Sequence, residues 1–337
     1  MNKKERLTRY SVPFNGDLSL MEEVFQTGKI YEVYFAAPRE YDLSRQDPSS
    51  ERFSRNKIST LLKLAAPHKI RTNLLFNSPL LSMRDTKKEI RYVHSIKAQL
   101  SSVTIADPYQ IAKFRKAFPG LKIEASVIMN LDNYAKIRKI LDYGIDVVNC
   151  PIDLNRNGSE LKKIASLKRS HPGFMIKLLA NDECFYGCPF KPYHYFFQDM
   201  QELQRIIPPD RDRNDDFGHT CMAASLDFTE LVKRPFIRPE DIGFYRRNGY
   251  GDIFKLCNRM NETPVLRKKI LAYLDEEYDG DLLDIIRLPR RSATLYCVNK
   301  SFPRSFIRTV TNCDKSGCRT CTYCKKTGRA VFKRIKA

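Results

Sequence analysis

The sequence predicts an α/β protein built as a (β/α)8 TIM-like barrel, followed by a small cysteine-rich C-terminal extension. Strand-like runs and helical segments alternate about eight times over roughly 250 residues, and this number and length are typical of such a barrel. A doubly wound parallel sheet is the alternative fold. It is disfavoured because the sequence shows no Gly-rich phosphate loop after the first strand. We therefore expect a barrel domain at residues 1–285 and the extension at residues 286–337.

The strands are predicted from β-branched and aromatic runs, and the helices from apolar side chains at helical spacing. Residues 1–29 are interpreted as a capping segment before the first strand. The strands are expected at residues 30–37, 70–77, 102–106, 122–129, 145–150, 174–180 and 252–256, with a further candidate at 235–237. The helices are expected at residues 58–64, 87–100, 109–118, 133–143, 158–170, 239–247 and 264–278.

The charge of the chain limits the classes of partner. It has 59 Lys and Arg residues against 39 Asp and Glu residues, a net charge of +20. Clustered basic residues favour a polyanionic partner, because neutralised phosphates release counterions. Charge alone does not choose between RNA, DNA, an acidic small substrate and a merely basic soluble protein.

The hydropathy of the chain bears on its location. No run of about 18 apolar residues is present, so we expect no membrane span. The charged first residues lack the apolar segment of a signal peptide. We therefore expect a cytoplasmic protein.

The ten cysteines are unevenly spread along the chain. A reducing cytoplasm keeps thiols free, so a disulfide framework is not expected. Cys150 and Cys297 stand apart and are interpreted as small core residues. The other cysteines are clustered, and metal binding is the common use of clustered cysteines in the cytoplasm.

The first cluster follows the predicted strand at residues 174–180. Cys184 and Cys188 come directly after that strand, at the face where barrel enzymes carry their chemistry. The motif lacks the third cysteine of the radical S-adenosylmethionine signature, because position 191 is a lysine. Two thiolates do not complete the coordination shell of a metal centre, so further ligands are needed.

Cys221 is the expected third ligand of this barrel site. Cys257 is a candidate for the fourth, because it follows the last strand, which closes against the first ones in a barrel. A cysteine of the C-terminal extension, His194, or an open coordination position are the alternatives. His194 is also a candidate for a direct catalytic role.

The second cluster is Cys313-x4-Cys318-x2-Cys321-x2-Cys324 in the extension. Four thiolates at such short spacings suit a tetrahedral zinc ion or an iron–sulfur cluster, and spacing alone does not decide between them. The surrounding residues 301–337 contain ten Lys or Arg residues against Asp314 alone. The extension is therefore expected to be basic and to bind metal.

Three cationic side chains are candidates for binding an anionic co-substrate at the barrel mouth. Lys255 lies near the end of the last predicted strand, Arg259 follows that strand, and Arg238 lies in the segment before it. Guanidinium groups pair with carboxylates through two parallel hydrogen bonds. The sequence shows no Gly-x-Ser-x-Gly, Walker or His-Glu-x-x-His motif that would indicate another chemistry.

Several motifs resemble the collagenase-like peptidase family, which includes the UbiU/UbiV, RlhA and TrhP proteins. The sharpest is residues 183–191, Glu-Cys-Phe-Tyr-Gly-Cys-Pro-Phe-Lys. The other matching segments are residues 11–15, 107–108, 124–130, 143–145, 236–241, 252–259 and 321–324. The Cys-x3-Cys-Pro form is shorter than the cysteine motifs of the RNA-modifying members, so we regard the chain as a divergent member.

This resemblance implies a barrel with an oxygen-sensitive [4Fe–4S] cluster held by cysteines. It also implies oxygen-independent hydroxylation, with RNA or a small aromatic or isoprenoid precursor as the substrate. A homologous protein as a partner subunit is a further expectation.

Two other function classes remain open from the sequence. The net charge and the cysteine-rich extension are also compatible with a non-catalytic, zinc-stabilised RNA-binding or assembly protein. A peptide maturase or peptidase is the third class, and only the breadth of the family favours it.

Overall fold

The computed structural model describes residues 7–38, 41, 51–78, 85–182, 184–200, 227–286 and 295–334. Its centre is a closed barrel of eight parallel strands, in which the last strand pairs with the first. Helices connect the strands. This confirms the predicted (β/α)8 fold. Within the described residues, no helix has the length and apolar character that crossing a membrane requires.

The barrel strands are short, and most have the predicted positions. The eight strands are β1 Tyr10–Pro13, β2 Ile30–Ala36, β3 Arg71–Phe76, β4 Ser102–Ile105, β5 Lys122–Ala125, β6 Val147–Cys150, β7 Met175–Leu179 and β8 Ile253–Lys255.

The helices surround the barrel and continue into the extension. They are α1 Leu18–Gln26, α2 Arg55–Ala65, α3 Thr86–Ile96, α4 Pro108–Ala117, α5 Tyr134–Leu141, α6 Gly158–Ser166, α7 Lys191–Met200, α8 Phe228–Lys233, α9 Ile242–Arg247, α10 Thr263–Leu274, α11 Phe306–Thr311 and α12 Tyr323–Val331. Short 3-10 turns complete the pattern, and one of them, Ile152–Arg156, follows β6.

Several helices begin at a side chain that accepts a hydrogen bond from the first turn. Asp17 accepts from the backbone N–H of Leu20 before α1, and Asp107 accepts from that of Tyr109 before α4. These caps satisfy donors that the helix itself leaves unpaired. They explain why the helices start immediately after the strand ends.

The structure corrects the predictions for two segments, residues 1–29 and residues 235–237. Residues 1–29 were interpreted as a capping segment, but they contain β1 and α1. The candidate strand at residues 235–237 is not a strand; its backbone runs beside the end of β7, where Ile237 donates to the carbonyl of Ala180. Strand β1 therefore takes the place of the predicted strand at residues 235–237, and the barrel closes where β1 pairs with β8.

Alternation along the strands divides the barrel into a polar interior and an apolar outer layer. Glu32, Asn73 and Lys177 are buried, and their neighbours Val33, Leu74 and Ile176 belong to the hydrophobic core. Side chains of a strand point alternately to its two faces. The apolar set faces the helices, which leaves the polar set inside the barrel.

The extension packs against the outside of the barrel. Its two-stranded sheet is formed by β9 Leu295–Cys297 and β10 Phe332–Arg334. Phe302 and Phe306 contact Phe236. A Cβ atom on Gly328 would lie 2.7 Å from the carbonyl oxygen of Phe228, so α12 and α8 approach as closely as backbones can. The boundary at residue 285 stays a prediction.

Candidate functional site

Every strand of the barrel contributes a buried polar side chain to the interior. They are Ser11, Glu32, Asn73, Ser102, Thr104, Glu124, Asn149, Lys177 and Lys255. A (β/α)8 barrel is usually filled by branched apolar side chains. Buried polar groups are costly unless they pair with one another, so this interior has to form a connected network.

Lys177 is the centre of that network. Its ammonium lies 2.6 Å from Glu32 Oε1 and 2.6 Å from Glu124 Oε2, and all three side chains are fully buried. Ser11 donates to Glu32 at 2.6 Å, and Asn149 donates to Glu124 at 3.1 Å. The lysine therefore joins the β2 side of the barrel to the β5 side.

The two carboxyl groups have opposite pKa shifts. Burial, together with the charge of Glu124, raises the pKa of Glu32 despite its contact with Lys177. Burial also acts to raise the pKa of Glu124, but the charge and hydrogen bond of Lys177 outweigh it and lower that pKa to about 2. The Lys177 ammonium therefore favours the ionised form of Glu124.

Lys255, the last residue of β8, lies at the mouth of the barrel. Its ammonium is 4.1 Å from the ring centre of Tyr34, whose hydroxyl donates to the carbonyl of Leu256 at 2.7 Å. Burial and then the positive charge of Lys177 lower the pKa of Lys255 to about 8. A substantial fraction of this amine is therefore neutral near pH 8 and able to accept a proton.

Cys257 and Arg259 follow directly and surround the same tyrosine. Burial, and then the nearby Cys257, raise the pKa of Tyr34, while the charge of Arg259 acts to lower it. Asn258 has a left-handed backbone, with φ of 78°. Asparagine tolerates this conformation better than most residues, and it turns the chain sharply after β8. Lys255 and Arg259 therefore lie at one barrel mouth, as the sequence predicts.

Cys184 and Cys188 form a pair at the end of β7. The Cys184 thiol hydrogen-bonds the Cys188 sulfur, which also accepts from the backbone N–H groups of Phe190 and Lys191. The Cys184 hydrogen bond is the largest cause that lowers the pKa of Cys188, to about 6, and the same bond raises that of Cys184. Cys188 is thus a thiolate at neutral pH, the form that reacts with electrophiles and binds metals.

Asp153 fixes the loop that carries this pair. It accepts from the backbone N–H of Gly187 at 2.8 Å and forms an ion pair with Lys191 at 3.3 Å. Asp153 belongs to the 3-10 turn Ile152–Arg156, so the loop after β7 is anchored to the loop after β6. The cysteine pair is consequently held at the C-terminal face of the barrel.

The other predicted ligands of the barrel site are less well defined. Cys221 lies outside the described residues. Cys257 donates its backbone N–H to Asn181 at 2.6 Å, which ties the β8 loop to the β7 loop. Among the residues that the structure describes, no three His, Cys, Asp or Glu side chains stand together as a metal site. The structure therefore does not place Cys257 as a ligand together with Cys184 and Cys188.

His194 and Arg238 are the remaining residues that the sequence predicts for the site. His194 is in the first turns of α7, partly exposed. Arg238 forms a bidentate ion pair with Asp241, at 2.8 and 2.9 Å, and donates to the carbonyl of Asn299 at 3.2 Å. Arg238 already has a carboxylate partner and fastens the extension to the barrel, so we leave it out of the proposed anion site.

Sequence reasoning missed Lys177, Glu32 and Tyr34 as site residues. A signal was present, because Lys177 interrupts the apolar run Met-Ile-Lys-Leu-Leu of β7. A charged residue inside an otherwise buried strand requires a partner. The partners come from strands far away in sequence, so spacing alone could not identify them.

The pKa of Cys188 leads to a first prediction. In the reduced, metal-free protein, alkylation of Cys188 by iodoacetamide should reach half its maximal rate near pH 6. The variant Cys184→Ala removes the main stabilising hydrogen bond, so the midpoint should move up toward the ordinary cysteine value of about 8.5. Peptide mass spectrometry measures both profiles. Two identical midpoints would show that Cys184 does not tune Cys188.

Comparison with known proteins is consistent with the fold and the motifs. Residues 17–175 match the model of peptidase family U32. The uncharacterized protease MJ1657 of Methanocaldococcus jannaschii is 27% identical over 310 residues, which cover 90% of this chain and 89% of that protein. The solved structure of the U32 peptidase Mk0906 superposes with a TM-score of 0.51 at 14% identity.

The alignment with Mk0906 covers 77% of this chain and 96% of that chain, and at this identity it shows the common barrel. The family match covers most of the barrel, from the cap of α1 to the start of β7. These matches support the resemblance of the chain to the collagenase-like family, peptidase family U32.

Proposed function

We propose that this protein is an iron–sulfur-dependent modifying enzyme that works at the C-terminal mouth of its barrel. The reaction that we favour is oxygen-independent hydroxylation of RNA or of a small aromatic or isoprenoid precursor. The observation that carries the proposal is the thiol pair of Cys184 and Cys188 at the end of β7.

The donor set suits a [4Fe–4S] cluster. Two sulfur atoms already lie within hydrogen-bonding distance of each other, and one of them is a thiolate at neutral pH. Cys221 is the proposed third ligand, and Cys257 stays the candidate for the fourth. A cluster held there would supply one-electron transfer beside the barrel mouth.

The side chains of the barrel mouth support substrate binding and proton transfer. Arg259 and the protonated form of Lys255 present positive charge to an anionic substrate, in a location where little water screens it. The neutral form of Lys255 can accept a proton from a bound substrate. The +20 charge of the chain favours a polyanionic substrate such as RNA.

Metal analysis of anaerobically purified protein tests this proposal. We expect iron and acid-labile sulfide in the wild-type protein, with loss of most of the barrel-bound iron in Cys188→Ala. The matched control is Cys150→Ala, whose thiol is buried in β6 and should not bind metal. A wild-type protein that holds neither iron nor sulfide after anaerobic reconstitution would disprove the proposal.

A cysteine peptidase is the second candidate, and the thiolate character of Cys188 is the observation that favours it. The relatives described above carry the names protease and peptidase. A peptidase should cleave denatured collagen or casein without iron, and Cys188→Ala should abolish cleavage. Iron-independent cleavage would favour this second candidate over the first.

A further inference from the structure

We propose that Cys313, Cys318, Cys321 and Cys324 bind one thiolate-ligated metal centre, and that Lys315 couples this centre to the loop of the barrel cysteine pair. This inference goes beyond the proposed function, because it concerns a second site and does not depend on a cluster at Cys184 and Cys188. The chemical class of the ligand is a thiophilic metal, either a zinc ion or an iron–sulfur cluster.

The backbone gathers the four thiols into one short, folded segment. Cys321 donates its backbone N–H to the carbonyl of Gly317 at 2.8 Å, which closes a turn between Cys318 and Cys321. Helix α12 begins at Tyr323, so Cys324 lies in its first turn.

Positive charges flank these thiols. Lys315 lies within the segment, and Lys233 belongs to α8, the helix that packs against α12. Positive charge beside the segment would offset the negative charge that a thiolate-ligated metal centre carries.

Lys315 links the segment to the barrel. Its ammonium donates to the carbonyl of Arg156 and lies 5.0 Å from the ring centre of Tyr186. Tyr186 stands between Cys184 and Cys188 in the loop that Asp153 anchors. A single lysine of the extension therefore contacts the end of the 3-10 turn after β6 and the cysteine loop after β7.

The backbone of Lys315 is also unusual. It has φ of 65°, in the left-handed region, and its N–H donates to the Cys313 sulfur at 3.4 Å. A residue other than glycine keeps this conformation only when its surroundings hold it there. Metal ligation at Cys313 and Cys318, on either side of Lys315, is an arrangement that would hold it.

Binding one metal at this site requires the four thiols to move closer together. In the part of the chain that the structure describes, no three of these thiols lie close enough together to hold a metal. Cys313, Cys318 and Cys321 are exposed, and Cys324 is partly exposed. We assign Lys315 as a positioning residue for the cysteine loop.

The first experiment separates this centre from the barrel pair. The full-length chain with Cys184→Ala and Cys188→Ala is incubated with zinc, or with iron and sulfide under anaerobic conditions, and then desalted. We expect about one zinc ion per chain, or one cluster, to be retained. Adding Cys318→Ala and Cys321→Ala should abolish this metal retention. The control substitution Cys297→Ala removes a buried thiol and should leave the retained metal unchanged. No retained metal under either condition would overturn the proposal.

The second experiment tests the coupling, in the same background lacking the barrel thiols. Metal binding at the extension should slow amide hydrogen exchange in residues 185–191 by about fivefold, because it fixes Lys315 over Tyr186. Lys315→Ala should remove this slowing while retaining the metal. The control variant Lys325→Ala changes an exposed lysine and should leave the metal-dependent slowing of exchange intact. Two results would refute the assigned role of Lys315. One is an amide exchange rate in residues 185–191 that metal does not change, and the other is a slowing of exchange that persists in Lys315→Ala.

Discussion

The variant Lys177→Met should lower the free energy of unfolding by about 3–5 kcal/mol, the cost typical of breaking a buried ion pair by removing one partner. The side chain lies fully buried between Glu32 and Glu124, at 2.6 Å from each. Methionine fills most of the space but leaves the charge of Glu124 without its cation. Urea unfolding, monitored by circular dichroism, measures the free energy of unfolding of the wild-type protein and of the variant. The matched control Lys163→Met removes an exposed ion pair with Glu160 and should cost about 0.3–0.5 kcal/mol.

The cost of Lys177→Met should depend on pH. In the wild-type protein, the lowered pKa of Glu124 contributes stability that is present above the unfolded carboxyl pKa of about 4.3, and that is lost as the pH falls toward 2. Without Lys177, burial should raise the pKa of Glu124, so acid should stabilise the variant. The difference between the two proteins should therefore narrow from pH 7 to pH 3. A difference that stays constant over this range would show that Glu124 is not held ionised by Lys177.

The fold could be predicted from the sequence because its main signals are local. Strand β2 is rich in β-branched and aromatic residues, β7 is mostly apolar, and α5 and α6 show apolar side chains at helical spacing. The exception is β1, which is four residues long and is recognisable only through its pairing with β2 and β8. A strand of that length carries too little periodic signal to stand out from its neighbours.

The candidate site could be predicted only in part. The positions of Cys184, Cys188, Lys255 and Arg259 followed from their places at or after the ends of strands, because barrels bring those ends to one face. The roles of Arg238 and Lys177 depend on partners that three-dimensional packing supplies. Arg238 meets Asp241 and the extension, whereas Lys177 meets carboxylates from two distant strands. Such pairings lie beyond what local spacing contains.

Lys255 should titrate near pH 8, whereas exposed lysines titrate near 10.4. Burial beside Tyr34 and the charge of Lys177 both disfavour its protonated form. Lysine labelled at the ε-carbon allows the titration to be followed by carbon NMR, and Lys255→Arg assigns the resonance by removing it. For a reaction that uses this amine as a base, kcat should rise with pH and level off above about 8. Lys255→Met should lower kcat by about 10²–10⁴-fold, the usual loss for a general base.

The stability of the folded chain provides an independent check on Lys255. A lysine whose pKa is lowered by folding destabilises the protein while it is protonated, so its cost is fully present below pH 8 and diminishes from pH 8 toward 10.4. Lys255→Met removes this cost, and the variant should gain stability relative to wild type at pH 7 and lose that advantage at pH 10. A substitution that lowers activity but raises stability indicates a functional side chain whose charged form is buried at a cost in solvation free energy. Equal stability of the two proteins at both pH values, with a titration near 10.4, would instead identify Lys255 as an ordinary surface cation at the barrel mouth.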